Sequence, residues 1–379
     1  MTRPHSSDAP TGHLVTEDVP GRRVVRALKV YDEVRTAHLE RVADRRTTIL
    51  YRRRRYDFDE RLARSRDVQQ AGVLRTLRWA LRHPVDVIEV AEPFVLGAAP
   101  RSLAAIAGNR LRAAFGRGPR ARVVAYAIES LHPDDVSPRL PGRTRLKRRG
   151  QSMLVPLVWR SLDRLVLGTE VAQSVYRRSF RSRWPKHQLI PALPVSRLTG
   201  ANERDRGRSL VFLGDLSERK GFPQLLDAWP DVRARVPGAR LSILGRGAGE
   251  PAAVALAAAD EAVTVTIDPP RETIFAALGA SKVLVLPSQR TPRWREQVGL
   301  PIVEGLSLGC AIVTTTETGI ADWLAAHGHG VVAPRDADAL RDAIVAALEG
   351  ARSPADIAAQ LPSVDGRAAA EAWLFEGAR

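Results

Sequence analysis

The chain has 379 residues, 44% of them hydrophobic, which is enough for a core in each of two domains; its one cysteine, Cys310, excludes an internal disulfide and a cysteine-based zinc site. Its formal net charge of +16 is uneven, since residues 1–200 contain 39 Lys and Arg against 19 Asp and Glu, and residues 201–379 contain 19 against 23. The amino-terminal segment lacks the apolar stretch of a signal peptide, and the apolar run at 153–159 is far shorter than the roughly 18–20 residues that span a bilayer, so we expect a soluble or peripheral protein of the cytoplasm.

The first half of the chain predicts alternating strands and helices. Apolar runs predict strands, and apolar residues at helical spacing predict helices. The predicted strands are 47–51, 85–90, 122–128, 164–167 and 188–190, and the predicted helices are 24–39, 68–82 and 171–180. The polar segment 196–208 (SRLTGANERDRGR) has two glycines and no hydrophobic period, which predicts a linker.

The second half alternates more regularly. Its strands are continuous apolar runs, as expected when both faces of a parallel sheet are covered. The predicted strands are 209–213, 241–244, 263–267, 282–286, 311–314 and 331–333, with helices from Pro223, at 271–281, from near Leu300, around Trp323 and at 338–348. We therefore expect an α/β protein with two Rossmann-like, doubly wound parallel-sheet domains at 1–195 and 209–368, facing a cleft, and a tail at 369–379 that crosses back to the first domain.

Loops that follow parallel strands are where doubly wound sheets bind ligands. The loop from Gly214 to Gly221 (GDLSERKG) follows a strand and opens a helix, so its glycines allow close backbone approach and Lys220 can face a diphosphate. A second loop, Gly245 to Gly249 (GRGAG), is better explained as an ordinary glycine turn.

Two carboxylates eight positions apart stand in a third loop and the helix after it (EQVGLPIVE). Pro301 suits a first helical turn, whose free amides can face a phosphate. Glu304 in that helix can accept hydrogen bonds from vicinal hydroxyls, while Glu296 precedes the helix. Either acid alone would be unremarkable, but the set indicates a ligand site.

From Ser209 to about Gly350 the sequence resembles the donor domain of family-four GT-B retaining glycosyltransferases (group 1 glycosyltransferases). The matching segments follow the family's order: SLVFLG, ERKG, PGARLSILGRG, KVLVLPS, EQVGLPIVEGLSLG, CAIVTTTETGI and DADALRDAIVAAL. Their centre is the family's Glu-x7-Glu signature, Glu296 and Glu304. The resemblance implies that Lys220 contacts the donor diphosphate, Glu304 the ribose hydroxyls and Glu296 the transferred sugar, and that amides around Gly299 and Leu300 face the diphosphate or sugar.

The sequence departs from the family pattern at two positions. Asp215 stands after the first strand, where the family usually has arginine, so Arg219 or Arg246 is expected to supply the missing cation. Many members have His-Asp after the strand at 122–128, where this chain has Glu129 and Ser130. Glu129 either replaces the histidine as a sugar contact or is a strand-end acid paired with an arginine. In addition, the glycine-rich loop that the family has after its first strand is reduced here to residues 17–21.

Other motifs favour structural explanations. Asp57-Phe58-Asp59 matches a metal-binding Asp-x-Asp but lies beside four arginines, which favours an ion-paired surface. Asp336 is interpreted as a helix N-cap, His327 and His329 as turn residues and Cys310 as core. Trp294 either covers the sugar or packs against the protein.

The resemblance thus implies transfer of a hexose from a nucleotide-diphosphate sugar to a glycan or lipid-linked hydroxyl acceptor, in cell-surface glycan or glycolipid synthesis, with retention and without a metal or other cofactor. The catalytic set would be Glu296, Lys220 and Glu129, and the donor-binding set Gly214, Arg219, Lys220, Arg246, Glu296, Gly299, Leu300 and Glu304. Two alternatives remain open. The protein is either a catalytically weak homologue that only binds nucleotide, or a basic nucleic-acid-binding protein. The aromatic content of 5% makes nucleic acid the less favoured partner. The positive charge of residues 1–200 indicates an anionic acceptor or the inner membrane surface, or else only an arginine-rich composition.

Overall fold

The structure is a computed structural model that describes residues 25–41, 46–55, 58–132, 135, 142–200 and 206–378. The described residues fall into two compact units, one drawn from positions 1–91, 97–123 and 377–379 and the other from positions 92–96 and 124–376. The helices in these ranges do not combine the length and apolar composition needed to cross a membrane. The predicted domain boundaries, including the linker at 196–208, stay predictions.

The first sheet contains seven strands. They are β1 Ala27–Val34, β2 Thr47–Arg54, β3 Asp67–Gln70, β4 Val87–Val90, β5 Arg122–Ala127, β6 Arg164–Leu167 and β7 Lys186–Leu189, in the spatial order β3-β2-β1-β4-β5-β6-β7. The helices between them are α1 Thr36–Glu40, α2 Glu60–Arg64, α3 Val73–Arg82, α4 Ala99–Ala114, α5 Gly142–Ser152, α6 Val155–Ser161 and α7 Glu170–Ser179.

The second sheet contains six strands. They are β8 Ser209–Leu213, β9 Arg240–Gly245, β10 Val263–Ile267, β11 Val283–Leu286, β12 Ala311–Thr315 and β13 Gly330–Val332, in the order β10-β9-β8-β11-β12-β13. The helices are α8 Phe222–Arg235, α9 Glu250–Ala259, α10 Arg271–Ala280, α11 Leu300–Ser307, α12 Ala321–Ala326, α13 Ala337–Glu349, α14 Pro354–Ala358 and α15 Gly366–Phe375. The pairing is parallel, which confirms the predicted α/β class.

Hydrophobic burial explains why the second half was easier to predict. The central strands β8, β11 and β12 are apolar along nearly their whole length and almost wholly buried, because helices cover both faces. Proline occupies the first turn of α8, α9, α11 and α14, where its missing N–H costs no helical hydrogen bond. Asp336 caps α13 by accepting from Ala339 N at 2.9 Å, which confirms the predicted N-cap.

Two helix predictions in the first half are wrong. Residues 27–34, placed in a helix at 24–39, form β1, and residues 68–70, at the start of the helix predicted at 68–82, belong to β3. The apolar spacing in 24–39 fits both periods, and the sheet decides between them because β1 pairs with β2 on one side and β4 on the other. Residues 17–21 and Asp57 lie outside the described residues, and Asp59 caps α2 by accepting from Arg61 N and Leu62 N.

The last helix, α15, packs against strands of the first sheet that belong to the same compact unit. The Arg164 guanidinium lies over the Trp373 ring, with 5.0 Å between the guanidinium carbon and the ring centroid, and Arg367 lies over Tyr126 at 4.6 Å. Gly366 approaches the chain so closely that a Cβ there would lie 2.0 Å from the Pro191 carbonyl oxygen. Residues 366–376 therefore contribute packing to β5 and β6.

Candidate active site

Two glycine-rich loops pack directly against each other at the carboxyl ends of β8 and β9. Gly245 has φ 151°, and a Cβ there would lie 1.8 Å from the Gly214 carbonyl oxygen, so only glycine fits. The amide of Leu216 donates to the Arg246 carbonyl at 2.9 Å. The loop after β9 thus supports the backbone of the loop after β8, in keeping with its interpretation as a structural turn.

Lys220 is brought to the end of β11 by the glycine that follows it. Gly221 has φ 73°, and a Cβ there would lie 1.9 Å from the Pro287 carbonyl oxygen, which leaves no room for any other residue. Lys220 Nζ contacts Glu296 Oε2, and Ser288 Oγ donates to the same oxygen at 3.2 Å. The Lys220 and Glu296 side chains are 12% and 10% exposed, so two of the predicted catalytic residues form a mostly desolvated ion pair.

Trp294 covers this ion pair from a short turn. Backbone hydrogen bonds between Thr291 and Trp294 close the turn. The ring centroid of Trp294 lies 5.1 Å from Lys220 Nζ and 4.9 Å from the Arg219 guanidinium carbon. Both distances suit a cation–π interaction. The tryptophan therefore packs on the cations of the site, and whether it also covers a sugar stays a prediction.

The two candidate substitute cations each face a carboxylate. Arg219 Nη2 lies 2.9 Å from Asp215 Oδ2, so the acid that departs from the family pattern is paired with a cation four positions further along the loop. Arg246 Nη1 lies 3.6 Å from Asp268 Oδ2. All four of these side chains are more than a third exposed, which keeps them accessible to an anionic ligand.

The helix after the Glu296 loop begins at the same edge of the sheet. Gly299, with φ 84°, precedes Leu300, the first residue of α11, and its carbonyl accepts from Ile302 N at 2.9 Å. The positive end of the helix dipole therefore lies at the carboxyl edge of the sheet. Glu304 lies half-buried in the second turn of this helix. Its predicted contact with ribose stays a prediction.

Glu129 lies beside the Glu296 loop. Its Oε2 accepts from Gln297 Nε2 at 3.3 Å, and its Oε1 accepts from the amides of Ser130 and Leu131 at 3.0 and 3.1 Å. Ser130 Oγ donates to the Arg295 carbonyl at 3.3 Å. The structure thus brings Glu129 next to the residue that follows Glu296, with a glutamine and two amides rather than an arginine as its partners.

A second buried acid, which the sequence did not single out, supports Glu129. Glu92 Oε2 accepts from the amides of Ile128 and Glu129 at 3.1 and 3.0 Å and from the Tyr176 hydroxyl at 3.1 Å. Burial, and then the charge of Glu129, raise the pKa of Glu92 to about 8, while burial raises the pKa of Glu129. The sequence signal for Glu92 is its position just after β4. That signal is weak, because a single acid after a strand has many structural explanations.

The loop after β12 fixes the Glu296 segment from its other side. Arg295 Nε pairs with Glu317 Oε2 at 2.8 Å, and a Cβ at Gly319 would lie 1.8 Å from the Gln297 carbonyl oxygen. Across the described ranges there is no group of three or more His, Cys, Asp or Glu side chains that could hold a metal ion. The expected independence from metals stays a prediction.

Two residues assigned to structure lie away from the site. Cys310 is buried, as predicted for a core residue; its Sγ donates to the Leu278 carbonyl at 3.2 Å, and burial raises its pKa to about 12. His329 Nδ1 accepts from Ile312 N at 3.1 Å, and burial lowers its pKa to about 3. Neither arrangement suggests a ligand.

Comparisons with known proteins identify the fold. Residues 207–350 match the family described as "Glycosyl transferases group 1". The fold resembles the apo form of the lipopolysaccharide outer core galactosyltransferase WaaB, at 12% identity and a TM-score of 0.63 over 92% of this chain and 99% of that one. HepE of Anabaena in complex with UDP and glucose matches at 14% identity and a TM-score of 0.61, covering 92% and 95% of the two chains.

Sucrose-phosphate synthase from Thermosynechococcus elongatus matches at 14% identity and a TM-score of 0.58, over 93% of this chain and 96% of that one. No curated protein matches the chain by sequence. At these identities the structural matches bear on the fold, whereas the family match bears on the half that contains Lys220, Glu296 and Glu304. Residues 207–350 therefore match the group 1 glycosyltransferase family, in a chain that has the GT-B fold.

Proposed function

We propose that the protein transfers a hexose from a nucleotide-diphosphate sugar to a hydroxyl acceptor, with retention of anomeric configuration and without a metal ion. The observation that best supports this proposal is the buried contact between Lys220 and Glu296 beside the glycine loop of β8. A lysine held at the end of a glycine loop that follows a strand can stabilise a departing diphosphate where charge develops. HepE, whose solved complexes contain UDP and UDP-glucose, supports the choice of a nucleotide-sugar donor.

Each residue has a distinct role in this proposal. Lys220, the α11 amino terminus at Gly299 and Leu300, and one of Arg219 and Arg246 neutralise the diphosphate as the bond from the sugar breaks. Gly214 allows the diphosphate to approach the backbone. Glu304 holds the ribose hydroxyls, Glu296 orients the sugar, and Glu129 contacts the sugar or acceptor. The acceptor class is a glycan or lipid-linked glycan, and WaaB, a lipopolysaccharide galactosyltransferase, supports a role in cell-surface glycan synthesis.

Donor binding is the most direct test. In a thermal-shift panel of UDP-, GDP- and ADP-sugars, one donor is expected to stabilise the protein by about 2.7 kcal/mol when present at 100 times its dissociation constant. Lys220→Ala and Glu304→Ala are expected to lose most of that shift. Arg240→Ala, which removes an exposed cation at the opposite end of a strand in the same sheet, is the matched control. Wild-type-like shifts in both site variants would refute the site assignment.

Transfer in the presence of EDTA separates this mechanism from a metal-dependent one. Activity is expected to be nearly unchanged, because protein cations replace the metal at the diphosphate. Loss of activity that Mn²⁺ or Mg²⁺ restores would refute metal independence. Donor binding without any transfer, across a set of glycan acceptors, would instead favour the catalytically weak homologue.

The exposed helix α5 supports a further part of the proposal, peripheral association with the inner, anionic face of a membrane. Its five cations, Arg143, Arg145, Lys147, Arg148 and Arg149, are mostly exposed. Leu146 in α5 is 74% exposed, and Met153, the residue after the end of α5, is 73% exposed. Each basic residue near an anionic surface contributes about 1 kcal/mol.

Co-sedimentation with liposomes tests the membrane proposal. Binding to anionic but not neutral liposomes is expected, and it should weaken as salt rises. The variant Arg145→Gln/Lys147→Gln is expected to bind less, whereas Arg75→Gln/Arg78→Gln, which removes two exposed cations from α3, is the control. Equal binding to both liposome types, or none to either, would refute the proposal and leave the transferase function untouched.

A further inference from the structure

Three arginines surround one carboxylate at the carboxyl edge of the first sheet, wholly within the first compact unit. β1 pairs with β4 only as far as Val30 and then extends along β2, so Asp32 lies beyond the end of β4. The Asp32 carboxylate accepts from Arg52 Nη2 at 2.9 Å, from Arg53 Nη2 at 3.3 Å and from Arg101 Nη2 at 2.8 Å. We call Asp32, Arg52, Arg53 and Arg101 the Asp32 cluster.

The buried guanidinium group of Arg101 has hydrogen-bond donors without an acceptor among the described residues. The Arg101 side chain is 3% exposed, and only its Nη2 has a hydrogen-bond partner among the described residues. Its Nε and Nη1 are buried without an acceptor, as is Nε of Arg52. Buried donors are nearly always paired, so three guanidinium nitrogens without an acceptor among the described residues indicate a ligand at this cluster.

The position and charge of the cluster specify what that acceptor is. Arg101 lies in the first turn of α4, a sixteen-residue helix whose N-cap residue, Ala98, provides no side-chain hydrogen bond. The helix amino terminus and three guanidinium groups together favour a negative ligand. Arg53 also pairs with Glu33 Oε1 at 2.9 Å, so the three arginines face two carboxylates and keep an excess positive charge. Burial lowers the pKa of Arg101, and Asp32 raises it.

The backbone approaches the cluster closely at one glycine. Gly97 lies against it, and a Cβ there would stand 3.2 Å from Asp32 Oδ2 and 3.5 Å from Arg52 Nη2. Glycine at this position therefore lets the backbone approach the carboxylate and the guanidinium groups closely. Arginine in a fixed geometry is well suited to bind phosphate oxygens through paired N–H groups.

We propose that the Asp32 cluster, with the amino terminus of α4, binds the phosphoryl group of an acceptor substrate. The link to an acceptor rests on the proposed function, whereas phosphate binding itself requires neither donor nor transfer. The source of the phosphate is a soluble sugar phosphate or a phosphorylated lipid headgroup, which share this chemistry.

Inorganic phosphate is the first probe, used in a thermal-shift titration against chloride at equal ionic strength. Phosphate is expected to raise the melting temperature of the wild-type protein, and Arg101→Gln is expected to abolish most of that rise. Arg52→Gln, at a side chain 35% exposed, is expected to reduce it and is the deciding variant if Arg101→Gln does not fold. Arg75→Gln, at an exposed arginine of α3, removes the same charge and should keep the full response.

The Lys220→Ala background separates this site from the proposed donor site, which would also attract phosphate. There, the phosphate response should persist and still depend on Arg52 and Arg101. An equal phosphate response in wild type, Arg52→Gln and Arg101→Gln, or none beyond that of chloride in wild type, would overturn the proposal while leaving donor binding testable on its own.

Two further ligands identify the source of the phosphate. Glucose 1-phosphate stabilisation that Arg101→Gln or Arg52→Gln abolishes assigns the cluster to a soluble phosphate. Binding to vesicles that contain phosphatidic acid, lost in the same variants and retained in Arg75→Gln, assigns it to a lipid headgroup. If the substitutions change neither the stabilisation by glucose 1-phosphate nor the binding to vesicles, the proposal is contradicted.

Discussion

Glu296 and Glu129 lie on either side of Gln297, yet they have opposite kinds of neighbour. Glu296 contacts the ammonium group of Lys220 and accepts from Ser288, whereas Glu129 lies beside the buried acid Glu92 and is held by backbone amides. Attraction between unlike charges stabilises the first arrangement; in the second, like charges and burial favour protonation of Glu92. The same residue type therefore forms an ion pair with a lysine in one place and lies beside a second acid in the other.

Replacing Lys220 should produce the largest effect, because it removes the cation of the Lys220–Glu296 ion pair. Lys220→Ala is expected to lower kcat/KM for transfer by at least about 100-fold, as loss of one group that stabilises developing charge does in other enzymes. Glu296→Gln should lower it as well, and the double variant should lose less than the product of the two, because the side chains are in contact. Steady-state kinetics with Arg240→Ala as control measure this, and strictly multiplicative effects would contradict the coupling.

The close backbone approach at Gly221 positions Lys220, whereas hydrogen bonds to its carboxylate position Glu129. Gly221→Ala tests the importance of that backbone approach. A Cβ at this left-handed position would collide with the Pro287 carbonyl oxygen, so we expect destabilisation by about 3 kcal/mol. Gly72→Ala is the control, since its Cβ would meet nothing within 4 Å, and it should change stability by less than about 1 kcal/mol. Urea unfolding measures both, and equal stability of the two variants would show that the close approach does not matter.

The raised pKa of Glu92, beside Glu129, predicts that the free energy of unfolding depends on pH. Because the folded-state pKa of Glu92 is raised from 4.5 to about 8, the folded protein binds a proton that the unfolded chain releases. This contribution to stability is fully present below pH 4.5 and is lost as pH rises through about 8, at up to about 1.4 kcal/mol per pH unit. Glu92→Gln should flatten the fall in unfolding free energy between these pH values.

The exposed acid Glu261 provides the matched control for that measurement. Glu261→Gln removes an ionisable carboxyl from the surface and should leave the wild-type pH slope in place. A wild-type slope in Glu92→Gln would mean that another group titrates in this range.

The smallest expected effect concerns the exposed ion pair of the glycine loop. Asp215→Asn should release Arg219 for the donor diphosphate and tighten donor binding about two- to fivefold, in line with the modest strength of exposed pairs. Isothermal titration at low and high salt measures this, and the gain should shrink as salt rises. Weaker donor binding in Asp215→Asn would indicate that the acid positions Arg219 productively.

The sequence was informative where one physical pattern dominated. Buried strands such as β8 and β11 are continuous apolar runs, and the glycines after β8 are required by close backbone approach, so the second sheet and the Lys220 loop could be predicted. β1 could not, because its apolar spacing suits a helix as well as a strand until β2 and β4 are known to flank it. Glu92 could not either, since its partners Ile128, Glu129 and Tyr176 are distant in sequence.

The packing of α15 sets an order on folding during synthesis. Arg164, at the start of β6, donates to the Trp373 carbonyl, a contact between residues 209 positions apart, and Arg367 lies over Tyr126 of β5. Contacts of such long sequence separation form late, because a long loop must close before they stabilise the chain. Strands β5 and β6 therefore complete their packing only after α15 has left the ribosome, and until then their α15-facing surface is open to chaperones or to misassembly.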